Sequence, residues 1–155
     1  MEPPKQINPT KLADYLEVLT RAVFESGMSW KIIEAKWPGF QQAFHAFDPA
    51  TIASLTPDEI DALTSDTRII RNRRKIDATV HNAGAMLDLE REHGTFKKYL
   101  KSLDSFDVAV RDMRRRFKHV GDFGVFYFLY VVGEPVPDYH DFRAKLDGAS
   151  PAAKR

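Results

Sequence analysis

The chain has no cysteine, which excludes disulfides, thiolate nucleophiles and cysteine-ligated zinc together. No run of eighteen apolar residues occurs, so no membrane-spanning helix is expected. The first residues, Met-Glu-Pro-Pro-Lys-Gln, lack the apolar stretch of a secretory signal, and the expected location is cytoplasmic. There is no internal repeat and almost no net charge, +1 over 155 residues. What is left is an ordinary globular composition, 43% hydrophobic and 29% charged, long enough for one domain with a real core. That domain is expected over 1–147, with a disordered tail at 148–155.

The small net charge conceals an uneven distribution. Residues 68–75, Arg-Ile-Ile-Arg-Asn-Arg-Arg-Lys, contain five cations and no acid. Residues 111–118, Arg-Asp-Met-Arg-Arg-Arg-Phe-Lys, contain five more against one acid, with Lys97, Lys98 and Lys101 between the two clusters. Such clusters fit a basic face for phosphates or a pair of solvated helix ends.

Apolar residues recur at helical spacing almost throughout. Asn8-Pro9-Thr10 reads as a helix start, because proline at the first helical position sacrifices no hydrogen bond. Leu12, Leu16, Leu19 and Val23 then form one stripe to about Glu25. Gly27 ends this helix, Ser29 caps the next, and Pro38-Gly39 reads as a break. Asp48-Pro49 and Thr56-Pro57-Asp58-Glu59 open short helices at 49–55 and 57–64, the second with a capping box. A long helix follows from about Asn72 to Glu92, and Thr95 and Asp104 read as caps for the next two. Val125 to Val132 is β-rich by propensity. A lone strand would have nothing to pair with, so a buried helix is expected there.

Three blocks stand out: Gly27-Met28-Ser29-Trp30, Phe44-His45-Ala46-Phe47-Asp48-Pro49, and Ile69-Ile70-Arg71-Asn72-Arg73-Arg74-Lys75-Ile76. Their order and spacing resemble the DNA-3-methyladenine glycosylase I family, a branch of the helix-hairpin-helix base-excision glycosylases. That family typically reads Gly-Leu-Ser-Trp, Phe-His-x-Phe-Asp-Pro and Ile-Ile-Arg-x-Arg-x-Lys-Ile. A fourth segment, Phe117-Lys118-His119-Val120-Gly121-Asp122, is similar to the family's hairpin, Phe-Lys-Phe-Val-Gly-Thr-Thr. The resemblance covers roughly residues 20–140 and implies an all-α, helix-hairpin-helix glycosylase-like bundle. An ordinary helix-loop-helix connection remains the alternative for the hairpin segment.

By the same resemblance Trp30 stacks on the damaged base, with Phe24 beside it in the base pocket; a cation–π contribution of roughly 1–2 kcal/mol would favour a cationic purine. Taken without the flanking match, a tryptophan at this position is a core residue. The family's pocket acid lies eight residues before its tryptophan, where this chain has Ala22. Glu25, one helical turn on, is the substitute candidate or else a solvent-facing glutamate. Gly121 is expected to make a tight turn and, with Lys118, to meet a DNA phosphate; Arg71, Arg73 and Arg74 would add phosphate contacts. Asp122 stands where the family has a hydroxyl, and is expected to cap the following helix and repel phosphate. Asp138, seventeen residues past Gly121, either stabilises positive charge at the sugar or caps a helix after Pro137. The family's zinc ligands are absent apart from His140, and one histidine cannot hold structural zinc. No metal and no other cofactor is expected.

The implied function is that of a monofunctional DNA N-glycosylase releasing alkylated purines such as 3-methyladenine. Its partner is double-stranded DNA containing a damaged base, and a monomer is expected. No lysine stands at the hairpin position used for Schiff-base chemistry, so strand cleavage is not. The alternatives are a non-catalytic DNA- or damage-binding homologue, and a helical protein-interaction domain that has lost DNA altogether.

Overall fold

A computed structural model describes residues 3–149 of the chain. These residues form nine α-helices and no strand: α1 (Leu12–Glu25), α2 (Trp30–Ala43), α3 (Pro49–Ala53), α4 (Pro57–Leu63), α5 (Arg73–His93), α6 (Phe96–Lys101), α7 (Phe106–Arg116), α8 (Asp122–Val131) and α9 (Tyr139–Ala149). The all-α expectation holds. The β-rich run is helical from Val125 to Val131, with Val132 just past the helix end, because α8 is buried along most of its length, with Val125, Phe128 and Leu129 in the core. Burial there overrides strand propensity.

Helix α1 is packed by α2, α5 and α8, and α5 lies against α1, α3 and α6. The stripe expected along α1 is the one it buries: Leu16, Leu19, Val23 and Phe24 are fully inaccessible. Each such side chain contributes about 1.5–3 kcal/mol on leaving water. An aromatic cluster completes this side of the core. Trp37 stacks on Phe40 at 4.9 Å and on Phe47 at 5.4 Å, and Phe24 meets Phe40 edge-on at 4.7 Å.

The boundaries correct several expectations. Helix α1 begins at Leu12 rather than Pro9, because the Asp14 carboxylate accepts from the amides of Thr10 (2.8 Å) and Lys11 (3.2 Å) and closes the helix start there. Pro38-Gly39 does not break the chain; α2 runs through it. The glycine serves a close crossing instead, since a Cβ on Gly39 would lie 2.3 Å from the Arg68 carbonyl oxygen. Ser105, not Asp104, caps α7 by accepting from the Val108 amide at 3.2 Å. Helix α9 continues through residues 148 and 149, two positions into the expected tail; the remaining tail residues, 150–155, lie outside the described residues.

The Phe-His-Ala-Phe-Asp-Pro block has a structural explanation. His45, Ala46 and Phe47 are all left-handed, with φ of 54°, 56° and 60°. Left-handed backbone costs an L-residue roughly 1–2 kcal/mol each. Full burial of Phe44 and Phe47 and the Asp48 cap on Thr51 (3.0 Å) hold the turn. No described helix is long and apolar enough to cross a membrane.

Candidate functional site

The turn from α1 into α2 is built from below by a lysine. Lys75, only 4% exposed, donates from Nζ to the carbonyl oxygens of Phe24 (3.0 Å) and Ser26 (2.6 Å). These carbonyls belong to the end of α1, where a cation opposes the helix dipole and satisfies acceptors left without a helical partner. Gly27 then takes φ of 74°, a conformation glycine adopts without penalty. Trp30 follows as the first residue of α2 and is 47% exposed.

Opposite this turn stands the connection from α7 to α8. The expected tight turn at Gly121 is displaced: His119 has the left-handed φ of 62°, whereas Gly121 is extended at φ −101° and ψ −170°. Asn82, buried on α5, clamps the connection by accepting from the Lys118 amide (2.8 Å) and donating to the Lys118 carbonyl (3.1 Å). Gly121 precedes α8 with no side-chain cap, and the first helical bond runs from the Val125 amide to the Gly121 carbonyl at 3.0 Å. Asp122 therefore does not cap the helix as expected. Its carboxylate pairs with Arg114 at 2.7 Å instead. A Cβ on Gly121 would meet nothing within 4 Å, so this face of the hairpin is open.

Between the two turns lies a cavity of about 560 Å³, lined by Ala22, Glu25, Gly27, Trp30, His119, Gly121 and Tyr127 among others. Glu25 accepts from Arg21 Nε at 2.9 Å. Burial raises the Glu25 carboxyl above its ordinary pKa, and the Arg21 hydrogen bond and charge oppose that rise only in part. His119 is held below its ordinary value, first by burial and then by the charges of Lys75 and Arg74, so it is neutral at pH 7. Burial, with Glu25 nearby, pushes the Tyr127 phenol upward; it stays protonated and keeps a donor in the cavity.

The structure thus brings together Trp30, Glu25 and Gly121, and it separates others from them. Phe24 does not line the cavity: it is wholly buried in the aromatic cluster, because one step along α1 from the cavity-facing side turns a side chain inward. Asp138 is also elsewhere. Its Oδ1 accepts from the amides of His140 (2.9 Å) and Asp141 (3.3 Å) at the start of α9, which is the capping alternative.

Of the basic residues, Arg71, Arg74 and Lys118 are exposed. Arg73 is exposed but paired with Asp61 at 2.6 Å and Asp77 at 3.4 Å. Lys75, counted with the first basic cluster, is withdrawn from the surface. Lys75, Asn82, Tyr127 and Arg21 were not singled out from sequence. Only Lys75 left a signal, since it stands at the lysine of the block Ile-Ile-Arg-x-Arg-x-Lys-Ile.

A family profile described as methyladenine glycosylase matches residues 10–120. The chain belongs to the methyladenine glycosylase family. The DNA-3-methyladenine glycosylase of Haemophilus influenzae is 35% identical over 89 residues, covering 57% of this chain and 48% of that protein. DNA-3-methyladenine glycosylase 1 of Escherichia coli K12 is 33% identical over 86 residues, covering 56% and 46%. The chain thus spans about half the length of these two relatives in the matched regions. The fold agrees more widely. The crystallised 3-methyladenine DNA glycosylase I of Staphylococcus aureus, whose structure addresses 3-methyladenine recognition, superposes with a TM-score of 0.72 at 25% identity, covering 85% of this chain and 79% of that one.

Proposed function

We propose that this methyladenine glycosylase family member is a monofunctional DNA N-glycosylase that flips an alkylated purine such as 3-methyladenine into the Trp30 cavity. One observation carries the reading: a half-exposed indole, a carboxylate and an open hairpin glycine border the same 560 Å³ space. An extrahelical base needs an aromatic face to replace lost stacking, and a phosphate needs uncapped amides nearby. The amides at the start of α8, with Lys118 and the exposed Arg71 and Arg74, serve the second need.

A purine methylated on a ring nitrogen carries positive charge before it leaves. When the bond between the sugar C1′ and the base nitrogen breaks, the electron pair neutralises the base, the sugar takes up the positive charge, and water adds at C1′ and loses one proton to the solvent. No proton donor is required, so extrusion and a shielded pocket supply most of what catalysis needs. Among the described residues no lysine lines the cavity, which supports hydrolysis without Schiff-base chemistry. We assign DNA phosphate contacts to Gly121 and Lys118, base contact to Trp30 and charge recognition to Glu25; Asp138 is assigned to helix capping. The domain is read as a cytoplasmic monomer acting on duplex DNA.

A second reading has its own support. Ala22 occupies the place of the family acid and is 9% exposed at the cavity wall, which favours a non-catalytic damage-binding homologue. Incubating the protein with alkylated duplex DNA and resolving released bases by chromatography separates the two. Release of 3-methyladenine above the spontaneous rate supports the enzyme. Selective binding of the damaged duplex without release supports the binding homologue.

A further inference from the structure

Two aromatic side chains line the cavity with about half of their surface open. Trp30, the first residue of α2, is 47% exposed, and Phe123, the second residue of α8, is 48% exposed. They reach the cavity from the two turns that border it. Phe123 is the exception on its helix, which buries Val125, Phe126, Phe128 and Leu129. The hairpin motif that this segment resembles ends in threonine at this position, and here a ring stands instead. That ring is backed on one side. Its centroid lies 6.4 Å from Phe142, which is buried and stacks on Phe126 at 4.4 Å. Tyr127 follows one turn later on α8 and lines the same cavity, as positions four apart share a helix face. Gly124 stands between them. A Cβ there would lie 3.9 Å from the Ala22 Cβ and 3.2 Å from Val120 Cγ1. A glycine and an alanine thus meet where α8 crosses α1, and they leave room above them for a flat molecule.

We propose that Phe123 is the second wall of the base pocket, so that the flipped purine lies between the Trp30 indole and the Phe123 ring. This rests on the base-pocket reading above. A base drawn out of the duplex loses stacking partners on both faces, and one indole replaces only one of them. A second ring replaces the other. Each ring presents a negative face, so a cationic purine gains from both. Phe123 follows the hairpin glycine by two residues, so the element assigned to the phosphate also carries this wall. Seating the hairpin on DNA therefore brings the ring and the phosphate contact into place together. Phe123 touches the base and not the sugar, which makes it a base-binding residue that governs affinity and selectivity.

The test separates base binding from DNA binding. Free 3-methyladenine is titrated into the protein and read by tryptophan fluorescence. Trp30 and Trp37 are the two tryptophans of the chain, and Trp37 is buried at 7%, so quenching reports Trp30. Undamaged duplex is titrated separately and read by anisotropy. Phe123→Ala should weaken free-base affinity roughly tenfold, equivalent to about 1.4 kcal/mol, and leave undamaged-duplex affinity within about twofold. Phe123→Tyr keeps the ring and should stay within about threefold of wild type for the base, while Phe123→Leu keeps apolar bulk without a ring and should fall with Phe123→Ala. Circular dichroism and thermal unfolding confirm that each variant is folded. A folded Phe123→Ala that binds the base within about threefold of wild type overturns this inference alone, and so does a Phe123→Leu that binds like wild type. A loss of duplex affinity as large as the loss for the base makes Phe123 a general DNA contact and overturns it too. A wild type whose fluorescence 3-methyladenine does not quench overturns the base-pocket reading, and the inference with it.

Discussion

Stacking a flipped base on Trp30 requires the indole face to stay open, and an exposure of 47% on the first residue of α2 leaves it so. Phe24, six positions earlier, has no such freedom at 0%. The two aromatic residues should therefore respond differently to truncation. Trp30→Ala should leave thermal stability nearly unchanged, because little apolar area is lost from the core. It should abolish base release and weaken lesion binding by the roughly 1–3 kcal/mol of one stacked base, while duplex affinity without a lesion persists. Phe24→Ala should instead cost about 3–5 kcal/mol of stability. Thermal unfolding paired with base release separates the outcomes. A Trp30→Ala protein that still releases base at the wild-type rate would remove the indole from the mechanism. The place of Trp30 at the start of α2 was legible because Gly27 ends the preceding helix and Ser29 stands at the next helix start. The direction of Phe24 was not, since adjacent positions on one helix point about 100° apart and only packing decides which faces inward.

Helix α5 is the element that joins the basic surface to the hairpin. Its N-terminus presents Arg73 and Arg74, its buried face presents Asn82, and the proposed DNA contact depends on both. Removing Arg74 or Lys118 should flatten the dependence of log affinity on log salt by roughly one unit each, because each neutralises about one phosphate. Arg73→Ala should change the slope less. Its guanidinium is already engaged by Asp61 and Asp77, so it has little capacity left to neutralise a phosphate in the first place. Equal slopes for all three variants would contradict the distinction. Asn82 is a different kind of contact. Asn82→Ala leaves the Lys118 amide and carbonyl without partners in a part-buried site, at about 1–3 kcal/mol. It should also loosen the hairpin, lowering duplex affinity without altering the salt slope. A changed slope in Asn82→Ala would mean that the clamp acts on charge rather than on shape. The helices themselves could be read from periodicity and from capping residues such as Thr56, Thr95 and Asn72. The clamp could not, because Asn82 and Lys118 are 36 positions apart and nothing local marks their pairing.

Over the described molecule the candidate site lies between the end of α1, the start of α2 and the start of α8, with α5 packed behind α1, so its geometry and the fold's stability share supports. Lys75 is the clearest of these. Buried at 4%, it links α5 to the end of α1 through two carbonyls separated from it by 51 and 49 positions. Burial holds its pKa below the ordinary lysine value. That is the expected direction for a cation kept from water without a carboxylate partner. The ammonium is retained because the carbonyls at a helix C-terminus have few other partners in the interior. Lys75→Met keeps the stem's volume and removes the donor. Two part-buried carbonyls would then lack partners, costing about 2–4 kcal/mol in total. In a domain of this size each kcal/mol lowers the melting temperature by roughly 2–4 °C. Because those carbonyls belong to Phe24 and Ser26, on either side of Glu25, the same change should misplace Glu25 and the turn leading to Trp30. Lesion binding should then fall more than affinity for undamaged duplex, and the loss should persist well below the melting temperature. Calorimetry and binding at 10 °C test the two effects separately. A Lys75→Met protein that melts like wild type would show that the carbonyls find other partners. One that melts early yet binds the lesion normally when cold would show that Lys75 supports the fold without shaping the site.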